Sequence, residues 1–142
     1  MFLKNAIDVY TDGSCLVQER IGGWAVVSED FVAYGRRLNT TNNEMELYAI
    51  LQGISHAINH YDEINIYSDS EYAIRTLTEW AYKWKRNGWM KKGGIKNLNL
   101  IKQIFELVED NPKVKFHKVK SHSGIEMNER ADTLAYNIMK GL

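Results

Sequence analysis

Residues 5–14 read NAIDVYTDGS, the pattern of a half-buried β-strand that leads to an acidic residue. Ile7 and Val9 alternate with polar or aromatic neighbours, and successive side chains of a strand point to opposite faces of its sheet. Asp12 and Gly13 follow, and this pair is typical of turns. The segment therefore predicts a first strand that ends at Asp12.

Two further β-rich segments follow the first strand at short intervals. Residues 21–30 read IGGWAVVSED and residues 31–38 read FVAYGRRL, both rich in β-branched and aromatic side chains. A turn is expected over residues 28–30, between the two segments. Together the three segments predict a three-stranded antiparallel meander over roughly residues 4–38.

The rest of the chain alternates between helical and strand patterns. In order, the predicted elements are a helix over 43–60, a strand over 63–69, a helical segment over 70–88, a helix over 97–111, a strand over 113–122 and a helix over 126–140. The helical segment over 70–88 is expected to break before the basic stretch described below. The order βββαβααβα predicts a mixed α/β fold, with an antiparallel meander followed by parallel strands that helices connect.

Length and composition favour one compact globular domain over residues 1–142, with 44% hydrophobic and 25% charged residues. The N-terminus reaches Lys4 and Asp8 before the apolar core of a signal peptide could form, and no apolar run approaches the roughly 20 residues that span a bilayer. The single cysteine, Cys15, fits a reducing compartment. We therefore expect a cytoplasmic monomer that has no membrane partner.

Positive charge is concentrated in one stretch, although the formal net charge of the chain is zero. Residues 80–102 carry seven Lys or Arg residues and no Asp or Glu. Trp80, Trp84 and Trp89 interleave with these cations, and the first two lie four residues apart on one helix face. Flat apolar surfaces beside cations indicate a nucleic-acid contact. A role in the core is the alternative for these tryptophans, above all for Trp89.

Four acidic residues occupy positions where the predicted elements could bring them together. Asp12 and Asp69 end the first and fourth strands, and the carboxyl ends of strands border the ligand crevice of an α/β sheet. Glu46 lies in the first turn of the first helix, and Asp132 lies in the last helix. Four carboxylates suit hard divalent cations such as Mg²⁺, and two ions about 4 Å apart can bind the attacking and leaving oxygens of a phosphoryl displacement.

Each of these acids also has a local explanation that requires no cation. Asp12 could be a turn residue, and Asp69 could be the N-cap of the helix that follows it. Glu46 could be the second half of a capping box that begins at Asn43. Asp132 could be a solvated surface residue. The joint occurrence of the four acids favours the cation, but the local explanations remain open.

The two glutamates at the start of the first predicted helix should have different environments. At about 100° per residue, Glu44 and Glu46 lie roughly 160° apart around the helix axis. Glu46 shares its face with small or apolar residues such as Ile50 and Gly53, which suit packing on a sheet. We therefore expect Glu46 to face the cation and Glu44 to face solvent.

Five segments together resemble type 1 ribonuclease H in order and in spacing. They are YTDGS, TTNNEMEL, YSDSEYA, WAYKWKRNGW and KSHSGIEMNERADTLA, and the similarity runs over about residues 7–135. The resemblance implies a ribonuclease H-like fold, a five-stranded mixed sheet flanked by helices. It also implies an endoribonuclease that hydrolyses the RNA strand of RNA/DNA hybrids with two Mg²⁺ ions, for which Mn²⁺ could substitute, leaving 5′-phosphate and 3′-hydroxyl ends.

The same resemblance implies roles for individual residues. The four metal-binding acids of the family match Asp12, Glu46, Asp69 and Asp132. His122 matches a mobile-loop histidine that assists proton transfer or product release.

Contacts to the hybrid are implied in two regions. Asn42 and Asn43 match residues of the family that touch the minor groove, where the 2′-hydroxyls of an A-like duplex lie; helix capping is their alternative role. Thr41 and Asn97 match phosphate contacts on the DNA strand. The second region is a basic protrusion over about residues 80–97. The substrate-binding residues implied in and near it are Tyr72, Trp80, Trp84, Lys85 and Arg86.

The chain departs from the family in one segment. After TDGSC the family commonly has a loop rich in Gly, Pro and Asn, whereas residues 16–23 of this chain read LVQERIGG. The resemblance therefore does not extend to backbone contacts with RNA near residues 16–18. Two other functions stay open: a catalytically silent hybrid-binding module, which the four acids argue against, and another nuclease or integrase-like member of the wider fold.

Overall fold

The structure, a computed structural model, describes residues 4–142. The strands are β1 (Lys4–Leu16), β2 (Ile21–Ser28), β3 (Val32–Leu38), β4 (Tyr61–Ser68) and β5 (Val114–Lys118). The helices are α1 (Asn42–Ala57), α2 (Glu71–Arg75), α3 (Ala81–Arg86), α4 (Leu98–Glu109) and α5 (Glu126–Lys140), and a π-helical turn (Thr76–Trp80) joins α2 to α3. Within the described residues, no helix is long and apolar enough to cross a membrane.

The five strands form one mixed sheet in the order β3-β2-β1-β4-β5. β1 and β3 both pair antiparallel with β2, whereas β4 pairs parallel with β1 on one side and with β5 on the other. Because α2, the π-helical turn and α3 form one continuous helical segment, the predicted order βββαβααβα is confirmed. The predicted mixed sheet, a meander followed by parallel strands, is confirmed as well.

Helices α1 and α5 cover opposite faces of the sheet. A Cβ atom at Gly22 would meet the side chain of Met45 on α1, whereas one at the next residue, Gly23, would meet the backbone of Ala135 on α5. Consecutive strand residues point to opposite faces, so the two helices sandwich the sheet. The α1 side holds the main core, where Ile50, Ile54 and strand residues are fully buried, each such side chain contributing roughly 1.5–3 kcal/mol.

Strand β1 does not end at Asp12, so the expected end of the first strand is wrong. Its parallel pairing with β4 stops at Thr11 opposite Ser68, but its antiparallel pairing with β2 continues to Leu16 opposite Ile21. The Asp-Gly pair therefore lies inside a strand and not in a turn. Asp12 is placed where β1 extends beyond its neighbour β4, at the carboxyl end of the parallel ladder.

The expected break in the helical segment over 70–88 is also wrong. The chain remains helical from Glu71 to Arg86, and Thr76–Trp80 forms a π-helical turn instead of an interruption. Within this turn the Thr78 hydroxyl donates a hydrogen bond to the carbonyl oxygen of Ile74 at 2.7 Å. Such side-chain bonds compete with the helical backbone ladder and bend helices. The helix ends at Arg86, well inside the basic stretch.

Candidate active site

Three of the predicted acids converge at the end of the parallel ladder. One carboxylate oxygen from each of Asp12, Glu46 and Asp69 lies within 4.8 Å of the others. Asp12 and Asp69 directly follow Thr11 and Ser68, which pair with each other on the neighbouring strands β1 and β4. The carboxyl ends of adjacent parallel strands therefore place these two acids side by side.

Glu46 reaches this cluster because α1 begins directly against β1. The backbone N–H of Gly13 donates a hydrogen bond to Oε1 of Glu46 at 2.5 Å. A Cβ atom at Gly13 would lie 2.4 Å from both the Glu46 nitrogen and the carbonyl carbon of Met45. Backbone atoms cannot yield as side-chain tips can, so this approach of helix to strand requires glycine.

A hydroxyl group, and not an amide, caps α1. The N-cap is Thr41, whose side chain accepts a hydrogen bond from the Glu44 N–H at 3.1 Å. The alternative of a capping box from Asn43 to Glu46 is therefore wrong. The sequence did carry the signal, because Thr41 and Glu44 have the Ser/Thr-x-x-Glu spacing of a capping box. The Glu46 carboxylate is consequently free of any capping role.

Glu44 is held by neighbouring side chains, so its expected solvent-facing position is only partly correct. The Thr40 hydroxyl donates to Oε1 of Glu44 at 2.5 Å, and Nε of Arg37 lies 3.9 Å from the same oxygen. Its side chain is 30% exposed. The opposite directions of Glu44 and Glu46 follow the helical geometry, and Glu44 does not belong to the acid cluster.

The start of α2 repeats this arrangement. Ser70 is the N-cap, and its hydroxyl oxygen accepts a hydrogen bond from the Ala73 N–H at 3.0 Å. The alternative that Asp69 caps this helix is therefore wrong. Serine is among the preferred N-cap residues, so a capping residue next to the acid was available in the sequence.

Asp132 and His122 lie beside the three-acid cluster. Asp132, on α5, is close enough to Asp12 to raise the pKa of its carboxyl group. Nδ1 of His122 lies 3.6 Å from Oδ2 of Asp132, and the histidine side chain is 75% exposed. The structure thus places all five residues that were predicted to be catalytic around the carboxyl end of the central parallel strands β1 and β4.

Burial and mutual repulsion disfavour the charged forms of the central carboxyl groups. Burial raises the pKa of Asp12, and the charge of Glu46, a hydrogen bond with Asp132 and the charge of Asp69 raise it further. Burial likewise raises the pKa of Glu46, as does the charge of Asp69, although the hydrogen bond from Gly13 opposes this shift. A hard divalent cation would offset this repulsion, and these oxygen donors are the type that Mg²⁺ and Mn²⁺ prefer.

Asn42 and Asn43 lie exposed at the start of α1 and line a hollow of about 280 Å³ that faces the β1–β2 hairpin. Cys15, Val17 and Arg20 form the wall on the hairpin side. Because the N-cap is Thr41, the two amides do not serve as the cap that was their alternative role.

The hairpin over residues 16–23, which departs from the family pattern, is tied to the chain before α1. The N–H of Arg20 donates to the carbonyl oxygen of Leu16 at 2.8 Å, and the carbonyl oxygen of Arg20 accepts from the Thr40 N–H at 3.0 Å. Nε of Arg20 also donates to Oδ1 of Asn39 at 3.1 Å. At the tip, Val17 is 79% exposed.

A groove of about 560 Å³ runs between α3 and the segment that precedes α4. One wall is aromatic: the ring centroids of Tyr72 and Trp80 are 6.4 Å apart, and those of Trp80 and Trp84 are 6.2 Å apart. The residues that complete the groove are Lys83, Lys91, Lys92, Gly93, Gly94, Ile95 and Lys96. Asn97 fixes the aromatic wall, because its Nδ2 donates to the hydroxyl oxygen of Tyr72 at 3.2 Å.

The π-helical turn explains why residues eight positions apart share this groove. At about 100° per residue, an uninterrupted α-helix would rotate Trp80 by about 80° from Tyr72. A π-helical turn takes up about one additional residue. The rotation between the two rings is thereby largely removed, and Tyr72, Trp80 and Trp84 lie along one face. The sequence predicts the alignment of Trp80 with Trp84 but not that of Tyr72.

Lys85 and Arg86 do not line this groove among the described residues. Nζ of Lys85 forms an ion pair with Oε2 of Glu109 on α4 at 2.6 Å, and Arg86 is exposed.

Trp89 packs edge-on against Phe105 with ring centroids 5.6 Å apart, and it lies against the main core. The alternative of a core role is confirmed for Trp89.

A mixed five-stranded sheet in this strand order, with carboxylates at the ends of its central parallel strands and helices on both faces, is the architecture of the ribonuclease H-like fold. The RNase H family model matches residues 4–140. The chain is 41% identical to the ribonuclease H of Wolbachia sp. subsp. Drosophila simulans (strain wRi), over 93% of this chain and 94% of that protein. It is 38% identical to the ribonuclease H of Saccharopolyspora erythraea, over 93% and 89%. The chain therefore belongs to the ribonuclease H family.

Solved structures agree with this assignment. LC9-RNase H1, described as a type 1 RNase H with the type 2 active-site motif, superposes with a TM-score of 0.81 at 27% identity, over 99% of this chain and 75% of that one. The foamy viral protease-reverse transcriptase in complex with dsDNA superposes with a TM-score of 0.85 at 20% identity, over 97% and 96%. The second likeness concerns the fold alone.

We predict that Gly13→Ala destabilises the metal-free protein. The added Cβ would meet backbone atoms of α1 at 2.4 Å, and overpacking of this kind costs roughly 1–3 kcal/mol. Urea unfolding of the metal-free protein measures the loss. Gly53→Ala in α1 is the matched control, because its Cβ would meet only side-chain atoms at 3.0 Å or more and because alanine favours the helix by about 1 kcal/mol. Equal stability of Gly13→Ala and the parent would contradict the close approach.

We predict that Asp12→Asn raises the melting temperature of the metal-free protein, and that this gain grows with pH. The pKa of Asp12 is raised in the folded state, so above an unfolded pKa of about 3.9 the folded parent holds more protons and loses stability as pH rises. Asparagine removes that loss. Calorimetric melting temperatures of the parent and of Asp12→Asn at pH 5 and pH 8 measure this gain. Asp62→Asn, at an exposed position, is the control. A melting temperature below the parent's at pH 8 would rule out the repulsive cluster.

Proposed function

We propose that the protein is an endoribonuclease that hydrolyses the RNA strand of RNA/DNA hybrids with two divalent metal ions, leaving 5′-phosphate and 3′-hydroxyl ends. The observation that carries the proposal is the convergence of Asp12, Glu46 and Asp69 within 4.8 Å at the carboxyl end of the parallel strands. Membership of the ribonuclease H family supports it. The proposal includes one domain over residues 1–142 that acts as a cytoplasmic monomer.

The metal ions would be held by Asp12, Glu46, Asp69 and Asp132. Mg²⁺, or Mn²⁺ in its place, would supply the charge that activates a water molecule and stabilises the leaving 3′-oxygen. The protein fixes the positions of these carboxylates. Asp12, Glu46 and Asp132 lie on β1, α1 and α5, and Asp69 directly follows the end of β4. Family membership and the type of donor atom favour these ions, because oxygen ligands at this density suit hard cations.

His122 is the proposed proton carrier. Its exposed imidazole lies 3.6 Å from Asp132, and the backbone φ of 54° places it at a sharp bend of the loop that joins β5 to α5. Left-handed backbone conformations of this kind are uncommon outside glycine and are frequent at functional sites. An imidazole at the rim of the cluster would relay a proton as water attacks and product leaves.

The hybrid would be recognised from both of its strands. Asn42 and Asn43 are exposed at the start of the helix that carries Glu46, and their amides would hydrogen-bond to 2′-hydroxyls and base edges in the wide, shallow minor groove. Thr41 and Asn97 would contact phosphates of the DNA strand. Thr41 is well placed for this because it lies at the N-terminus of α1, where backbone N–H groups favour anions.

The aromatic and basic groove would hold the DNA strand beyond the cut site. Tyr72, Trp80 and Trp84 offer an apolar wall for deoxyribose rings, which lack the 2′-hydroxyl, and the lysines opposite offer charge for phosphates. Lys85 and Arg86 lie outside the groove and would add to the positive field at its rim. The ion pair of Lys85 with Glu109 does not prevent this, because exposed ion pairs contribute only about 0–1 kcal/mol.

The reaction and its substrate are tested together with three end-labelled duplexes, RNA/DNA, RNA/RNA and DNA/DNA, each with and without Mg²⁺. We expect cleavage of RNA in the hybrid alone, and only with Mg²⁺. The 5′ ends of the fragments should accept a kinase label only after phosphatase treatment. Asp69→Asn, purified in parallel, is the control for contaminating nucleases and should be inactive. Comparable cleavage of the DNA/DNA duplex would reject hybrid specificity.

We predict that Lys91→Gln weakens hybrid binding and reduces its salt dependence, because one phosphate contact accounts for a slope of about 1 in a plot of log affinity against log salt. Nζ of Lys91 lies 5.9 Å from the Trp84 ring in the groove. Lys140→Gln is a matched control, because Nζ of Lys140 lies at the same 5.9 Å from Tyr136 on α5. Fluorescence anisotropy measures the affinity of both variants for the hybrid between about 50 and 200 mM NaCl, a range over which phosphate contacts strongly affect affinity. Equal slopes for the two variants would argue against the groove.

A further inference from the structure

The loop that joins β5 to α5 places two consecutive side chains against two different acids, Asp69 of the cluster and Asp132 beside it. The hydroxyl of Ser121 donates a hydrogen bond to Oδ2 of Asp69 at 3.0 Å, and Nδ1 of His122 lies 3.6 Å from Oδ2 of Asp132. We propose that Ser121 is a positioning residue that fixes the carboxylate of Asp69 and thereby raises the affinity of the site for a divalent cation. This inference rests on the proposed function, in which Asp69 is a metal ligand.

The loop begins from a rigid point next to Asp69. The N–H of Val119 donates to the carbonyl oxygen of Ser68 at 2.9 Å, which continues the pairing of β4 with β5 one residue beyond Ser68 and Lys118. Val119 is buried, at 8% exposure. Ser121 follows two residues later, so it lies close to this anchored end of the sheet.

Asp69 lies between two elements and is not oriented by either. β4 ends at Ser68, α2 begins at Glu71, and the cap of α2 is Ser70. Among residues 4–142, the hydrogen bond that the Asp69 carboxylate accepts comes from Ser121. Glu46, in contrast, is oriented by the backbone N–H of Gly13. The Ser121 hydroxyl therefore orients the carboxylate of Asp69, as the Gly13 N–H orients that of Glu46.

A neutral hydroxyl is a suitable partner for a metal-binding carboxylate. It leaves the full negative charge on Asp69, and Oδ1 together with the second lone pair of Oδ2 stays available to a cation. Partners that orient metal ligands contribute about 10- to 100-fold to metal affinity or activity. We expect a contribution of about tenfold, the lower end of this range, because Ser121 is exposed and water competes for the same oxygen.

Isothermal titration of the protein with Mg²⁺, without nucleic acid, tests the inference. Ser121→Ala should raise the dissociation constant about tenfold, whereas Ser121→Thr, which keeps the hydroxyl, should restore binding close to the parent's. Ser123→Ala is the matched control, because it removes a hydroxyl two residues away in the same exposed loop. Equal or tighter Mg²⁺ binding by Ser121→Ala would overturn the proposal, and so would an equal loss in Ser121→Thr.

Hybrid cleavage provides the second readout and separates this inference from the proposed function. Ser121→Ala should raise the Mg²⁺ concentration at half-maximal rate, while KM for the hybrid at saturating Mg²⁺ stays that of the parent. A raised KM with an unchanged Mg²⁺ requirement would overturn the positioning role. If instead the parent bound no Mg²⁺, or if Asp69→Asn bound it as tightly as the parent, the proposed metal site itself would fail.

Discussion

The close approach of α1 to β1 at Gly13 is the constraint on which the acid cluster depends. With no side chain at that position, the first turn of α1 lies against the strand, and the backbone N–H of Gly13 holds Glu46 near Asp12. Burial raises the pKa of both carboxyl groups; the charge of Glu46 adds to the shift of Asp12, and the charge of Asp69 adds to that of Glu46. The packing of α1 on the sheet, through residues such as Ile50 and Ile54, offsets the repulsion among these charges and keeps the site formed.

The two helices that begin beside the cluster are capped by neutral hydroxyl groups, and this leaves the acids free of capping. Thr41 caps α1 and Ser70 caps α2, so neither Glu46 nor Asp69 is used to satisfy a helix end. A carboxylate that capped a helix would have its charge partly stabilised by the N–H groups and the helix dipole, and it would bind a cation less strongly. The division of roles between hydroxyls and carboxylates is thus itself a feature of the site.

Local patterns predict the mixed sheet and much of the cluster because both follow from backbone periodicity. Adjacent parallel strands make Asp12 and Asp69 neighbours, and the helical repeat places Glu46 on the packed face of α1. Pairing between distant segments leaves no local pattern, so the continuation of β1 beyond Asp12 is not predictable from alternation. The same holds for the ion pair of Lys85 with Glu109, whose residues are 24 positions apart.

The charge distribution of the protein links the binding of the hybrid to its cleavage. A phosphate that approaches the acid cluster without cations meets like charge at short range, whereas the lysines of the groove attract it over roughly a Debye length of 10 Å at moderate salt. The lysines of the groove can therefore bind the hybrid even while the metal-free acid cluster repels its phosphates. Metal ions at the carboxylates would reverse the sign of the local field where the scissile phosphate must lie. Salt should then act mainly on binding in the groove, and metal concentration mainly on cleavage, because the lysines and the carboxylates lie on different elements of the fold.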